Sequence, residues 1–418
     1  MTTLDGTPAL NGAQTPGPAP QPVMTARRVG AIGAMLTAIG PVSMSIYTPA
    51  MPEIVHAFAT TEAAVKMTLT FYFGGFAGAQ LIAGPLSDAL GRRPVTFLFM
   101  GIYFAASLLA LWAPGVEVLM AARFAQGIGA AAGVIIARAV VRDLFSGEES
   151  SRVLNVIGII LSVGPALAPT VGGFLLVWFG WRSIFMTMAG IGLLVIGVTG
   201  LFMRETAPGP RRRPRIGEIA RTYAAILREP RFLTATAVIA GGVGAIYAQA
   251  TFLPFILMDR VGLSPAEFGL GMLMQSGSFF AASLLARPLM ARLGAERLVL
   301  PGVICCVTGG LGLTPLLLWD PSFLRVMGPV AVYVFGVGFV MPAMMTAAMA
   351  PFPRAGGAAA SMTGFIQMGA GLVVGSLGAL MGDPVRAMAV LIPLMGLVCS
   401  LGYIGHRRRL RLEGPPLA

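Results

Sequence analysis

The chain has 418 residues, of which 56% are hydrophobic and 11% charged, and it carries a formal net charge of +12. Soluble proteins average about 25% charged residues, so the composition excludes a water-soluble globule, and with it intrinsic disorder and a coiled coil. Apolar residues occur along the whole chain, which excludes a single membrane anchor joined to a soluble domain. The remaining class is a helical membrane protein that crosses the bilayer many times.

Residues 1–26 are rich in Pro, Thr, Ala and Gly and show no basic region ahead of an apolar core. This composition predicts a disordered cytoplasmic tail rather than a signal peptide. The first span then serves as its own insertion signal.

Twelve apolar stretches follow, each close to the roughly 20 residues that a helix needs to cross a bilayer. The alternating segments of about ten residues that are typical of a transmembrane β-barrel do not occur in the sequence. We therefore predict an all-α membrane protein with twelve transmembrane helices in two six-helix bundles. The expected spans lie near residues 29–50, 65–86, 94–112, 117–138, 153–176, 183–203, 232–257, 267–286, 298–318, 326–350, 358–381 and 386–405.

Charged residues support these boundaries. All 17 acids fall at a span end or in a loop, as expected when burial of a carboxylate at mid-bilayer is costly. Most of the 29 Lys and Arg residues lie in the N-terminal segment, the even-numbered loops and the C-terminal tail. The positive-inside rule therefore predicts that both termini are cytoplasmic.

A basic connector, residues 204–231, separates the predicted bundles 27–203 and 232–406, and residues 407–418 form a basic cytoplasmic tail. The short arginine clusters indicate contact with anionic lipid headgroups rather than with nucleic acid. Helical spacing of apolar side chains in the connector favours a short amphipathic helix on the inner membrane surface, although a plain tether explains the segment equally well. These side chains are Ile216, Ile219, Tyr223, Ile226 and Leu227.

The loops after spans two and eight are similar to each other. The first is Gly84–Arg93 and the second is Arg287–Glu296, and a proline, two leucines and a glycine coincide between them at an offset of 203 (288 minus 85). Two halves related in this way are typical of transporters built from internal repeats.

Three stretches resemble motifs of the major facilitator superfamily. Gly84–Pro94 resembles the loop signature of the superfamily, and Arg123–Gly129 resembles its fourth-helix motif. Gly164-Pro165, with Pro169, Gly172 and Gly173, resembles the fifth-helix motif that is typical of exporters.

Further stretches are similar to the bicyclomycin-resistance (Bcr/CflA-type) branch of that superfamily. They are Tyr47–Pro52, Gln80 ahead of Gly84, and Arg138–Asp143. The resemblance implies a drug:proton antiporter with twelve helices.

The resemblance also implies a gate around Asp88. An acid at this position bridges to a neighbouring arginine and to the N-terminus of a helix in the other half, here span eleven near Gly356. Free N–H groups and the helix dipole stabilise a carboxylate there, and the contact closes the cytoplasmic side. The alternative is a solvated loop acid. The predicted gate consists of Gly84, Asp88, Gly91, Arg92, Arg93 and Arg138.

Span five carries the predicted pivot. Two prolines four residues apart each remove a helix hydrogen bond and bend the helix, and the paired glycines allow close helix approach. We interpret the segment as a conformational pivot that also seals against ion leak, and the alternative is a kinked packing helix. The residues are Gly164, Pro165, Pro169, Gly172 and Gly173.

Arg123 is the only charge well inside a predicted span. Such an arginine needs a wet cavity or a polar partner, so it either contacts substrate or a proton relay, or is a structural residue bonded to neighbouring carbonyls. Gln126 lies on the same helix face. The candidate substrate-binding residues are Tyr47, Gln80, Arg123, Gln126, Tyr247, Gln249, Gln275 and Gln367.

The chain departs from the resembled branch where that branch has an acid in span one. In the resembled branch an Asp commonly precedes the Tyr-x-Pro stretch of span one, whereas this chain has Ser45, and no acid lies inside a predicted span. Proton coupling is therefore what the resemblance implies, with Glu53, Asp88 and Asp143 as shallow candidates. The lack of cavity acids disfavours cationic substrates, and Arg123 favours neutral or weakly acidic compounds.

We predict a multidrug efflux transporter of the bacterial inner membrane that exports amphipathic, drug-like compounds by alternating access, as a monomer and with a proton as coupling ion. The alternative is a specific metabolite exporter or importer on the same fold. The sequence has no H-E-x-x-H, G-x-S-x-G, P-loop or Cys/His cluster, so we expect no enzyme activity, metal or cofactor and no direct use of ATP.

Overall fold

The structure is a computed structural model that describes residues 23–207, 216–353 and 355–413. All regular elements in these ranges are helices. Most of the predicted tail 1–26 lies outside the described residues, as do the connector arginines 211–213 and residues 414–418.

Seven helices make up the first half of the chain: α1 (Ala26–Ser45), α2 (Met51–Ala57), α3 (Glu62–Leu90), α4 (Arg92–Leu111), α5 (Val116–Leu144), α6 (Gly147–Phe179) and α7 (Arg182–Phe202). α1 and α2 together form span one and are joined by a 3-10 turn over Thr48–Ala50. Pro49 has no N–H for the carbonyl of Ser45, and the Thr48 hydroxyl donates to that carbonyl instead, at 2.8 Å.

The connector contains a helix, α8 (Ile216–Arg228), rather than a plain tether. Six long helices follow: α9 (Pro230–Pro254), α10 (Pro265–Leu293), α11 (Ala295–Leu311), α12 (Phe323–Met349), α13 (Gly356–Leu380) and α14 (Pro384–Glu413). α9 continues into a π-helical segment, Phe255–Arg260. α14 extends through most of the basic segment that the sequence analysis treated as a tail.

The predicted fold class is confirmed. Among the described residues, ten helical segments are long and apolar enough to cross a membrane, and α6 adds the shorter apolar stretch Ala166–Phe179. The twelfth helix is α3, which is less apolar because Gly, Thr and Gln80 interrupt its run of apolar residues. The observed helices match the twelve expected spans to within a few residues at most ends.

The repeat is visible in the backbone. Gly91 separates α3 from α4 with φ of 102°, and Gly294 separates α10 from α11 with φ of 84°. Both values lie in the region that glycine alone adopts readily, and the two positions differ by 203 (294 minus 91). The same tight turn thus occurs at the same place in each half.

Each half has its own apolar core, and the halves meet along two helix pairs, α3 with α13 and α6 with α10. The halves also meet near the middle of α3, where the ring of Phe73 lies 5.4 Å from that of Tyr247 on α9, measured between centroids. Within the first half, α3 and α5 approach so closely that a Cβ on Gly75 or Gly127 would overlap the facing backbone.

The two ends of the interface differ. We call the end that carries Gly91 and α8 the connector face, and the other end the opposite face. A cavity of about 670 Å³ opens between the halves at the connector face. At the opposite face α6 and α10 are in backbone contact, so the described residues show a transporter-like interface open at one end.

Candidate transport cavity and gates

Residues from both halves and from the connector line the connector-face cavity. α3, α4 and α5 contribute one wall, the first turns of α13 contribute the facing wall, and Tyr223 of α8 completes it. Four of the six predicted gate residues line this cavity, namely Gly84, Asp88, Arg92 and Arg138. The structure therefore brings most of the predicted gate together around one opening.

The centre of the predicted gate is an ion network on Arg92. Its guanidinium is bonded to Asp88 one turn earlier and, at 2.9 Å from Nε, to the Asp143 carboxylate of α5. The Arg92 and Asp143 side chains are only 4% and 6% exposed, whereas Asp88 is 61% exposed. Arg92 Nη1 also donates to the Ser87 hydroxyl at 2.7 Å. Asp88 thus has the arginine partner that the resemblance implies, and it shares the cavity wall with Gly356 of α13.

The start of α4 depends on an acid that the sequence analysis treated only as a loop residue. The Glu205 carboxylate accepts the backbone N–H groups of Arg92 at 2.8 Å and Arg93 at 3.3 Å, and also those of Thr206 and Ala207, each at 3.0 Å. Burial opposes its ionisation, but these four donors outweigh burial and hold the pKa of Glu205 below its ordinary value. Glu205 therefore caps α4 as a carboxylate.

Gly91 is required at this junction for two reasons. Its φ is positive, and a Cβ there would overlap the Glu205 carboxylate. Arg93, the remaining predicted gate residue, points away from the cavity network and donates from Nη2 to the carbonyl of Gly200 at 2.8 Å, near the end of α7. A cation at a helix C-terminus is favourable, so Arg93 ties α4 to α7 rather than the two halves to each other.

The connector is attached to α3 through a carbonyl that proline leaves free. Pro85 has no N–H for the carbonyl of Leu81, and the Tyr223 hydroxyl donates to that carbonyl at 2.9 Å. Burial, with a smaller effect of nearby Asp88, raises the pKa of Tyr223. The hydroxyl therefore keeps its proton and remains a donor.

A double-mutant cycle tests this attachment. We expect Tyr223→Phe to destabilise the protein by about 0.5–1.5 kcal/mol, the usual value of such a bond. In a Pro85→Ala background residue 85 supplies its own N–H to Leu81, so the same substitution should have a much smaller effect. The thermal midpoints of the four purified proteins in one detergent measure the difference. Equal effects of Tyr223→Phe in both backgrounds would contradict the assignment.

At the opposite face, the residues of the predicted pivot divide between two partners. Gly164 and Gly172 pack on α1 and on the turn after it. Pro169 and Gly173 instead contact α10 of the other half, at Gly269 and Pro265 respectively. The neighbouring Thr170 hydroxyl donates to the carbonyl of Gly269 at 2.9 Å. The side chain of Pro165 lies outside the described residues.

Lys66 adds a second contact at the opposite face. Its side chain is 0% exposed, and Nζ lies 2.9 Å from the Glu62 carboxylate. Nζ also lies 3.5 Å from the carbonyl oxygen of Gly382 and 4.8 Å from the centroid of the Phe255 ring, both in the other half. The sequence placed Lys66 at a span end but gave no sign that it joins the halves.

Arg123 lies in an aromatic cage inside the first half. Its Cζ is 4.3 Å from the ring centroid of Tyr47 and 4.4 Å from that of Tyr72, an arrangement that stabilises a cation without a carboxylate. Nη1 donates to Gln126 Oε1 at 2.8 Å, and Gln126 donates to the Ser107 hydroxyl at 2.7 Å. The Arg123 side chain is fully buried, and its Nε and Nη2 atoms have no hydrogen-bond partner among the described residues.

The remaining candidate binding residues lie in the second half, except Gln80, which belongs to the first half and contacts the second. Gln80 packs directly on Gly364 of α13, and Tyr247 stacks near Phe73. Gln275 donates to Gln249 at 2.9 Å. Within the described chain, the Nε2 atoms of Gln249 and Gln367 are buried without an acceptor. The structure thus separates the candidates into the Arg123 cage, the Gln249–Gln275 pair between α9 and α10, and residues such as Gln80 and Tyr247 that contact the opposite half.

Several bacterial proteins are similar to this chain over most of its length. Multidrug resistance protein D of Escherichia coli is 29% identical, over 92% of this chain and 96% of that protein. Multidrug resistance protein MdtL of Salmonella heidelberg is 30% identical, over 88% and 91%. The Bicyclomycin resistance protein homolog of Haemophilus influenzae is 27% identical, over 82% and 86%.

Solved transporter structures share the fold. The xylose transporter XylE of E. coli, in a partially occluded inward-open conformation, superposes with a TM-score of 0.70 at 13% identity, over 94% of this chain and 99% of that one. A bacterial homolog of the human lysosomal transporter Spinster gives 0.69 at 15% identity, with the same coverage. The family model of the Major Facilitator Superfamily matches residues 33–404. The resemblance seen in the motifs is thereby confirmed, and the chain belongs to the major facilitator superfamily.

Proposed function

We propose that this protein exports amphipathic, drug-like compounds by alternating access, in exchange for protons. The observation that carries the proposal is the asymmetry of the interface: the halves enclose a cavity at the connector face and are in contact at the opposite face. The relatives named for multidrug and bicyclomycin resistance support this choice of substrate class.

We further propose that the connector face is cytoplasmic and that the membrane is the bacterial inner membrane. Helix α8, with Arg221 and Arg228, and the arginine-rich end of α14 lie on that face, and the positive-inside rule favours the cytoplasm for them. We also propose a monomer as the working unit, because the two halves that enclose the cavity belong to the same chain.

The shallow acids differ in their access to the cavity. Of the three shallow acids, Asp143 is in a buried ion pair, and Asp88 is the one that lines the cavity. We therefore propose Asp88 as the acid of the three that faces the cytoplasm in this conformation and takes part in proton coupling.

Inverted membrane vesicles test the function directly. With an acidic vesicle interior, vesicles from expressing cells should accumulate amphipathic compounds above the level of vesicles without the protein, and an ionophore that collapses the pH gradient should abolish the difference. Accumulation that survives the collapse would contradict proton antiport. If no member of a broad compound panel accumulates, amphipath export is wrong, and accumulation of a single metabolite would favour a specific exporter instead.

A further inference from the structure

The wall of the connector-face cavity has more positive than negative charge. Among its described lining residues are three arginines, Arg92, Arg138 and Arg142, and one acid, Asp88. Arg92 is matched within the protein, because it is bonded to Asp88 and to Asp143. The described carboxylates form no ion pair with Arg138 or Arg142.

Arg138 is the deeper of the two unmatched arginines. It lies one helical turn from Arg142 along α5, toward the middle of the interface, and shares the wall with the neutral residues Gln80, Gly84 and Ser361. Protein surrounds it, yet its side chain is exposed to the cavity. Because no described carboxylate pairs with it, this exposed guanidinium can bind an anion that enters the cavity.

The facing wall has the same electrostatic sign. α13 begins at Gly356 beside the cavity, and Arg142 Nη1 lies 3.3 Å from the point where a Cβ of Gly357 would be. A helix N-terminus is positive, so a cation beside it is unfavourable and an anion is favourable. An anion near Arg138 would be attracted by both walls.

The rest of the cavity suits an apolar body. Val134, Ile135 and Ala139 of α5 lie across from Ala358 and Ala360 of α13. The volume of about 670 Å³ falls inside the range of small-molecule pockets, roughly 300–1,000 Å³. An acidic group at one end of an apolar molecule would therefore fit the arrangement of charge and shape.

We propose that this cavity binds amphipathic organic anions, with the sulfonate, carboxylate or phosphate on the guanidinium of Arg138 and the apolar body between α5 and α13. The planar guanidinium can donate two hydrogen bonds to such a group. The inference names the substrate class of the cavity and, for transport, rests on the proposed function. The preference for acidic substrates is thereby assigned to Arg138 rather than to Arg123, which is enclosed in the first half.

Binding of two dyes that differ only in one sulfonate tests the proposal. Anilinonaphthalene sulfonate is the anion and phenylnaphthylamine is its neutral counterpart, and both are titrated by fluorescence into purified protein in phosphatidylcholine nanodiscs, with empty nanodiscs subtracted. Arg138→Gln should weaken binding of the sulfonate about tenfold, as expected for the loss of a charged hydrogen bond. Binding of the neutral dye should change less than twofold.

Controls separate recognition from a loss of structure. Arg292→Gln removes an exposed arginine from the connector face outside the cavity and should leave both dyes unaffected, while Arg138→Lys should retain part of the sulfonate affinity. In the unmodified protein, added salt should weaken binding of the sulfonate dye but not binding of the neutral dye. Equal weakening of both dyes by Arg138→Gln, or no salt effect on the sulfonate, would overturn the proposal.

Phospholipid headgroups also carry anionic groups. Nanodiscs that contain phosphatidylglycerol show whether the site binds a soluble amphipath or a lipid headgroup. Unchanged sulfonate affinity assigns the site to soluble amphipaths. A loss of affinity that is absent from the Arg138→Gln protein assigns it to the headgroup, still through Arg138. Because these measurements need no transport, the anion site can stand if the vesicle experiment fails, and export can stand if the dyes do not discriminate.

Discussion

Alanine at Gly173 or Gly269 is expected to shift the protein toward a conformation that is open at the opposite face and to slow transport. A Cβ on Gly173 would overlap the carbonyl oxygen of Pro265, and a Cβ on Gly269 would lie 2.7 Å from the carbonyl oxygen of Pro169. Both clashes are with backbone of the other half, so they cannot be relieved by a side-chain rotation. They disappear when the halves separate at this face.

The expected size of the shift follows from the cost of overpacking. Insertion of a methyl group into a tight contact costs about 1–3 kcal/mol, which corresponds to a change of about 5–150-fold in the ratio of the two conformations. A substitution changes the ratio of the two conformations only if its energetic cost differs between them. Either alanine costs more in the conformation that is closed at the opposite face.

Spin labels measure the outcome. With the native cysteines replaced, labels at the exposed positions Glu117 and Arg386, one in each half near the opposite face, should report longer distances in either alanine variant. Gly277→Ala is the matched control on α10, because no heavy atom lies within 4 Å of its Cβ position. An unchanged distance distribution with full transport, or an equal change with Gly277→Ala, would show that the glycine contact does not hold this face closed.

Asp143→Asn is expected to be the most destabilising single change in the gate. The ion pair with Arg92 is almost completely buried, and removal of one partner from a buried pair leaves a charge that water cannot solvate. We expect a loss of about 3 kcal/mol, near the lower end of the usual range, because Asp88 and Ser87 still contact Arg92.

Exposure predicts the order of the related variants. Asp88→Asn should cost less than Asp143→Asn, since the Asp88 carboxylate is 61% exposed. Glu148→Gln breaks the Glu148–Arg152 pair, whose side chains are 82% and 75% exposed, and should cost under about 1 kcal/mol. Thermal midpoints in one detergent, with ligand-free protein, give the comparison. If Asp143→Asn and Glu148→Gln behave alike, the pair around Arg92 does not stabilise the gate.

Motif residues show how far sequence reasoning reached. The Gly84–Pro94 stretch predicted an acid among arginines at the start of α4, and the structure pairs Asp88 with Arg92 there. The same reasoning missed the partners that come from distant parts of the chain. Asp143 was named only as a shallow acid and Glu205 only as a loop acid, because their distances from Arg92 along the chain carry no pattern.

Arg123 and Lys66 illustrate the same limit inside the spans. Arg123 could be identified as a buried charge from hydropathy alone, but the Tyr47 and Tyr72 rings that cage it come from two other helices. Lys66 could be placed at a span end, but its burial depends on Phe255 and Gly382 in the other half. The candidate amides likewise divide by location, which their shared polarity did not reveal.

The sequence by itself determined the helical membrane class, the twelve spans, the repeat and the superfamily. These properties depend on local hydropathy, on turn glycines and on short contiguous motifs, and each can be read within one span or loop. Only the tertiary structure decided which face is closed, which unpaired arginine faces the cavity and which acids pair with Arg92. Those properties depend on contacts between helices that lie far apart in the chain, where about half a turn of helix rotation separates a side chain in the cavity from one in the core.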